Sequence, residues 1–176
     1  NDRLLVHGGS GEGRLYTLSA SMTSLLPLTG EGVYPESGIV PKGEPLGFLS
    51  RDSRVWRTDG SPAGTFPVGP ASAWLNLSGA VRSPAGYDLI VHNSSSATEI
   101  WSTDGTAQGT VVRATIWPQY ISWDLVPLER AGERLFFLLD SYPDGMSLWV
   151  LADGSTEPLR VHSASPDYTP TRALAH

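Results

Sequence analysis

Residues 99–110, Glu-Ile-Trp-Ser-Thr-Asp-Gly-Thr-Ala-Gln-Gly-Thr, constrain the fold more than any other stretch, because they carry the chemistry of a β-hairpin and the chain repeats them. Strand formers run up to Trp101, and Asp104-Gly105 then supplies a turn that needs positive φ, which Gly adopts freely and Asp tolerates better than most. Gly109 permits a second bend before Thr110, Val111 and Val112 begin a returning strand. Residues 54–65 repeat the pattern, with Trp56, Thr58, Asp59, Gly60, Gly64 and Thr65 at the matching places.

A third copy, at 147–155, keeps Trp149 and Asp153-Gly154 but inserts one residue before the Asp-Gly. A degenerate first copy, at 14–19, has Tyr16 for Trp and no Asp-Gly. The spacings between Tyr16, Trp56, Trp101 and Trp149 are 40, 45 and 48 residues, the period of a repeat built from one four-stranded unit.

Short apolar or alternating runs fill each period and predict four strands per round. One round has them at 38–41, 46–49, around Trp56 and at 65–68; the next at 79–82, 88–91, around Trp101 and at 110–112. The last full round has them at 124–128, 134–138, around Trp149 and at 158–161. The N-terminal round begins a strand late, with 4–7, 14–18 and 25–28, while residues 171–175 form a first strand with nothing after it. Pairing this C-terminal strand with the N-terminal blade would close a ring and hide its edges. The expectation is an all-β, four-bladed β-propeller of four-stranded antiparallel blades, a single domain over 1–176. Its units are approximately 1–30 plus 167–176, 31–70, 71–115 and 116–166; a fragment of a longer array of the same blades is the rival.

Composition narrows the function. Gly (19) and Pro (14) together suit a protein of many turns, and 176 residues bury roughly 70% of the unfolded surface, so no staple is needed. The absence of cysteine excludes a disulfide framework and thiolate metal sites. A net charge of -6 with a single lysine, Lys42, argues against nucleic acid or an anionic membrane as partner, since phosphate binding draws on clustered Lys and Arg. No apolar run approaches the roughly 20 residues of a membrane helix, so membrane insertion is not expected. The glycine-rich stretch 8–13 precedes no helical pattern and is expected to be a hairpin loop rather than a phosphate cradle.

The stretch 99–106 closely resembles the repeat with consensus Glu-Leu-Trp-x-x-Asp-Gly-Thr, found in bacterial secreted and surface proteins expected to be propeller-like. Residues 54–61 fit with Arg for Glu and Ser for the last Thr, while 147–155 keep Leu-Trp and Asp-Gly around the insertion. The resemblance implies the fold and a secreted or cell-surface setting in a bacterium. It carries no shared activity or catalytic residues, and fold does not imply function.

Trp56, Trp101 and Trp149 are expected to fill the space between adjacent sheets. Asp59, Asp104 and Asp153 are expected to bond the amides of their own turns, since each stands alone before Gly and lacks the spaced acids of a calcium loop. A second periodic feature is an aromatic before the first strand of each round: Tyr34, Trp74, Tyr120 and Tyr168. With Glu36, Asn76, Gln119, Trp123 and Asp167 nearby, these could stack on the flat faces of sugars and orient them by hydrogen bonds; the competing reading makes them plugs between blades. The candidate ligand-binding set is Tyr34, Glu36, Trp74, Asn76, Tyr120, Trp123 and Tyr168.

Catalytic signals are weak. His7 and His92 occupy equivalent strand ends, as scaffold positions would, and no metal-binding His spacing, nucleophile elbow or phosphate loop is present. Glu36, Asp124 and Asp167 could pair as acid and base on a glycosidic bond. The expectation is a non-enzymatic, lectin-like or adhesin-like binding module for carbohydrate or a protein ligand at the aromatic face, with no cofactor, no metal and a possible homo-oligomer. The alternatives are a self-assembling structural protein and a glycoside hydrolase or lyase.

Overall fold

The computed structural model describes residues 44–71, 75–93, 97–116, 127–141 and 145–163, together with the strands at 4–7, 15–18, 25–27 and 37–39. Fifteen strands are described and they form four antiparallel sheets, each built from consecutive strands. The first sheet contains β1 (Leu4–His7), β2 (Leu15–Leu18) and β3 (Leu25–Pro27). The second contains β4 (Ser37–Ile39), β5 (Gly47–Arg51), β6 (Arg54–Thr58) and β7 (Phe66–Pro67). The third contains β8 (Leu75–Ser83), β9 (Gly86–Asn93), β10 (Thr98–Thr103) and β11 (Val111–Ile116). The fourth contains β12 (Pro127–Ala131), β13 (Arg134–Ser141), β14 (Gly145–Ala152) and β15 (Leu159–Ser163).

All-β meanders follow from the repeated hairpin signals, but the closed four-bladed propeller is overturned. The first sheet has three strands where the others have four, and no described strand of one sheet pairs with a strand of another. The physical reason is that consecutive antiparallel strands satisfy one another's backbone groups within each meander, so the sheets associate through side chains and not through a shared ladder. The proposed closing strand at 171–175 lies outside the described residues.

Side-chain packing runs on both sides of the third sheet. Strand β9 is a run of buried residues, as expected of a strand covered on both faces. Alternation sends Tyr87, Leu89 and Val91 toward the second sheet, where they join Phe48, Val55 and Val68 in one core. Ile90 faces the fourth sheet and joins Ile100, Leu135, Phe137 and Leu151 in another. Strand β8 touches β4, β5 and β6 on one side and β12 on the other, so the first strands of these three sheets are neighbours.

The tryptophans serve these cores unequally. Trp101 is 2% exposed and its indole N–H donates to Glu99 Oε2 at 2.8 Å, which gives the motif's Glu a job two residues before the ring. Trp149 stacks on Phe137 with centroids 6.5 Å apart and donates to Ser147 Oγ at 2.9 Å. Where Arg54 replaces that Glu, half-buried Trp56 donates instead to the Arg51 carbonyl at 3.2 Å, and the Arg51 guanidinium lies over its ring.

The motif turns are closed relays. Ser61 donates from both its amide and hydroxyl to Asp59 Oδ1 at 2.9 and 2.6 Å, and Gly64 N donates to Ser61 Oγ at 3.0 Å. Thr65 Oγ1 donates to the Ser61 carbonyl at 2.7 Å, while the Thr58 and Thr65 hydroxyls share a bond of 2.7 Å. The 103–110 turn repeats each of these, with Thr106 donating to Asp104 Oδ1 at 2.8 and 2.7 Å and the Thr103 and Thr110 hydroxyls 2.6 Å apart. Positive φ at Gly60 (81°) and Gly105 (88°) completes both turns. Bonding of Asp59 and Asp104 to their own turns agrees with expectation.

Candidate functional site: an inter-sheet cleft at the Asp-Gly turns

The third copy of the motif departs from this relay, and the departure builds a site. Ala152 stands where Thr58 and Thr103 stand in the other copies, so the hydroxyl that begins the relay is missing. Ser155 turns to its own loop, donating from Oγ to the Glu157 carbonyl at 3.2 Å. The Ser155 amide donates to the Ala152 carbonyl at 3.1 Å, so the residue that would bond Asp153 as Ser61 and Thr106 bond Asp59 and Asp104 is engaged elsewhere, which corrects the expectation for Asp153. Its Oδ1 accepts from Arg130 Nη2 and lies 3.6 Å from Arg113 Nη2.

Both arginines also hold Asp88. Arg130 Nη1 donates to Asp88 Oδ2 at 2.5 Å, and Arg113 Nη1 donates to Asp88 Oδ1 at 3.3 Å. Asp88 is 1% exposed. Its partners across β10 and β8 are Ser102 and Val81. The corresponding positions of the neighbouring sheets, opposite Arg57 and Val150, are Phe48 and Phe136. A carboxylate thus occupies a place that the second and fourth sheets give to an aromatic ring. Burial pushes the Asp88 carboxyl above its usual range, and Arg113 and Arg130 oppose that push. Burial also works against the charge of Arg130, but Asp153 and Asp88 outweigh it and hold the guanidinium above its ordinary value.

Three of the four charges, Asp88, Arg113 and Asp153, border a cleft of about 210 Å³ between the third and fourth sheets. Its walls are the β8–β9 turn with Ser83, the end of β10 with Ser102, Arg113 on β11, and Asp153-Gly154. Arg113 fixes the width: Nε donates to the Ser155 carbonyl at 3.3 Å and Nη2 to the Ala152 carbonyl. An arginine plays a comparable part between the second and third sheets, where Arg57 Nη1 donates to the Gly105 carbonyl at 3.4 Å. Successive sheets are thus pinned by a guanidinium placed on the next unit's turn. The Ser83 hydroxyl is buried and has no hydrogen-bond partner among the described residues.

In the four-stranded meanders the β8–β9 and β10–β11 type turns share one end of the sheet, so the cleft lies opposite the β8 end at which Asn76, one of the sequence-predicted set, stands. Of that set, Asn76 is described, on β8, paired across the ladder with His92. Asn76 Oδ1 and His92 Nε2 are both buried without a partner among the described residues. His92 Nδ1 lies 3.0 Å from Thr98 Oγ1, and burial lowers the imidazole's proton affinity. Tyr34, Glu36, Trp74, Tyr120, Trp123 and Tyr168 lie outside the described residues, as do Asp124 and Asp167. Among the described residues no cluster of three His, Cys, Asp or Glu is placed to hold a metal, and no helix is long and apolar enough to cross a membrane.

Sequence reasoning missed the charged cleft. The signal available was Asp88 in the middle of an apolar strand.

No protein-family model and no curated sequence matches this chain. Among solved structures it is similar to a puromycin-hydrolysing peptidase of Mycobacterium tuberculosis, with a TM-score of 0.57 and 14% identity. The match covers 93% of this chain and 31% of that one, so the chain spans under a third of that structure's length. At that identity the likeness is one of fold alone.

Proposed function

We propose that the chain is a non-enzymatic binding module that engages a protein ligand at the cleft beside Asp153. One observation carries the reading: a concave site with both signs of charge, whose groups are locked by one another before any ligand arrives. Arg113 uses Nε, Nη1 and Nη2 on the Ser155 carbonyl, Asp88 and the Ala152 carbonyl. Asp88 is clamped from two sides. Acid–base catalysis needs a group whose proton or lone pair reaches substrate, whereas these charges hold each other and keep the walls of a recognition surface in place. Pre-organisation of this kind reduces what binding must spend on ordering side chains.

The test is a combined glycan and peptide array probed with fluorescently labelled protein, followed by mass analysis of the bound ligand. Peptide ligands recovered intact support the module. Ligands recovered cleaved, or binding confined to glycans, contradict it.

A second reading rests on the peptidase likeness: the chain is the non-catalytic portion of a larger hydrolase. The share of that peptidase covered, 31%, favours it. In that case the module presents substrate to a catalytic part, and the chain alone releases no product from puromycin or peptide substrates.

A further inference from the structure

We infer that the cleft is a socket for one cationic side chain, a lysine or arginine of the protein ligand; this rests on the binding-module reading. Size comes first. Pockets for whole small molecules run from roughly 300 to 1,000 Å³, and a cleft of about 210 Å³ falls below that range, at the scale of a single anchoring side chain.

Polarity comes next. The guanidinium donors on the wall are spent on Asp88 and on main-chain carbonyls, so they offer little to an anion. What remains is a carboxylate, which only accepts, and serine hydroxyls, which accept as well as donate. The Asp153 side chain is 30% exposed at the rim, Ser102 is half-buried in the wall, and Ser83, a lining residue, has a buried hydroxyl with no partner among the described residues. Ser83 as a residue is 7% exposed. A hydroxyl kept out of water without a partner is a cost that folding bears unless a ligand relieves it. An ammonium or guanidinium entering the cleft would donate to that oxygen and to the Asp153 carboxylate together. The chain's net charge of -6 adds a long-range field that draws cationic partners and raises their encounter rate.

The experiment follows backbone amides by NMR at pH 7 while capped tripeptides Gly-Xaa-Gly, with Xaa Lys, Arg, Glu or Leu, are titrated into the protein. The Lys and Arg peptides should shift the amides of Ser83, Ala85 and Gly154 and saturate with an affinity on the order of 1 mM, the strength expected of one anchored side chain. Ser102→Trp, which fills the cleft, should weaken them at least tenfold. Ser83→Ala should weaken them at least threefold while leaving the melting temperature unchanged or raised, since it deletes an unpaired buried hydroxyl; a purely structural serine would not show that combination. Equal shifts with the Glu or Leu peptide, no shifts with any peptide, or unaltered binding in Ser83→Ala would each overturn the assignment. Loss of the cationic preference while array peptides still bind would sink the socket and leave the module reading standing; loss of both would sink both.

Discussion

The carboxylate of Asp104 lies against the α-carbon of Gly109, so that a methyl group on Gly109 would sit 2.2 Å from Asp104 Oδ1. Asp59 and Gly64 repeat the relationship at 2.1 Å. The motif's aspartate and its second glycine are therefore one steric unit: the carboxylate can accept from Thr106 or Ser61 only while the glycine has no side chain. Gly109→Ala should destabilise the fold by about 1–3 kcal/mol, the usual range for overpacking. In a double-mutant cycle, Asp104→Ala should remove most of that penalty, because the partner of the clash is gone. Urea denaturation of the four proteins checks both statements.

Between sheets, Gly69 has a similar relation to Trp101, whose Cζ3 would lie 2.1 Å from an added methyl. Gly69→Ala should cost about 1–3 kcal/mol by displacing the indole. Trp101→Ala should cost about 3–5 kcal/mol by emptying the core of the second and third sheets. A loss below about 1 kcal/mol for Trp101→Ala in guanidinium denaturation would mean that this ring does not hold the two sheets together.

Asp88 should be the most sensitive charge in the chain. Asp88→Asn leaves Arg113 and Arg130 without their shared carboxylate, and both side chains are mostly buried. Removing one partner from a buried ion pair costs about 3–5 kcal/mol. The triple variant Asp88→Phe, Arg113→Leu, Arg130→Met places at Asp88 the ring that Phe48 and Phe136 supply in the neighbouring sheets, and should recover most of the loss. Melting temperatures of the single and triple variants decide the matter.

The turn carboxylates predict an acid limb. The Asp59 carboxyl is held below its ordinary value of 3.8 chiefly by the Ser61 hydroxyl, and that of Asp104 by the Thr106 hydroxyl. A folded-state affinity for protons lower than the unfolded one contributes stability that is present above the ordinary value and is lost as pH falls through the folded one. Asp88 is displaced the other way, by burial, so its contribution is present at low pH and is lost as pH rises through its folded value. Stability measured from pH 2 to 6 should therefore fall less steeply with acid in Asp104→Asn than in wild type. An identical slope would contradict the relay as the source of acid sensitivity.

The hairpins were legible because their determinants are local. Trp101, Asp104 and Gly105 lie within five residues, and alternation alone places the strands near them. The Asp59 and Asp104 turns were legible for the same reason. Ring closure was argued from the phase of strands at the two ends, which hydrogen-bond saturation inside each meander does not require. The cleft was hidden because its charges come from four places: Arg113 and Arg130 lie 25 and 42 residues from Asp88, and Asp153 meets the cluster where the Ser155 hydroxyl and amide bond elsewhere in their own loop. Sequence spacing does not report which face of β9 meets the fourth sheet.

Binding is expected at the cleft beside Asp153 and not through the aromatic set picked out by the sequence. The most direct measurement compares the peptide-array signal of wild type with that of Ser102→Trp and Trp74→Ala, each first shown to melt cooperatively. Loss of signal in Ser102→Trp with retention in Trp74→Ala is the predicted result. Retention in Ser102→Trp with loss in Trp74→Ala would contradict the account and assign the ligand to the aromatic set instead.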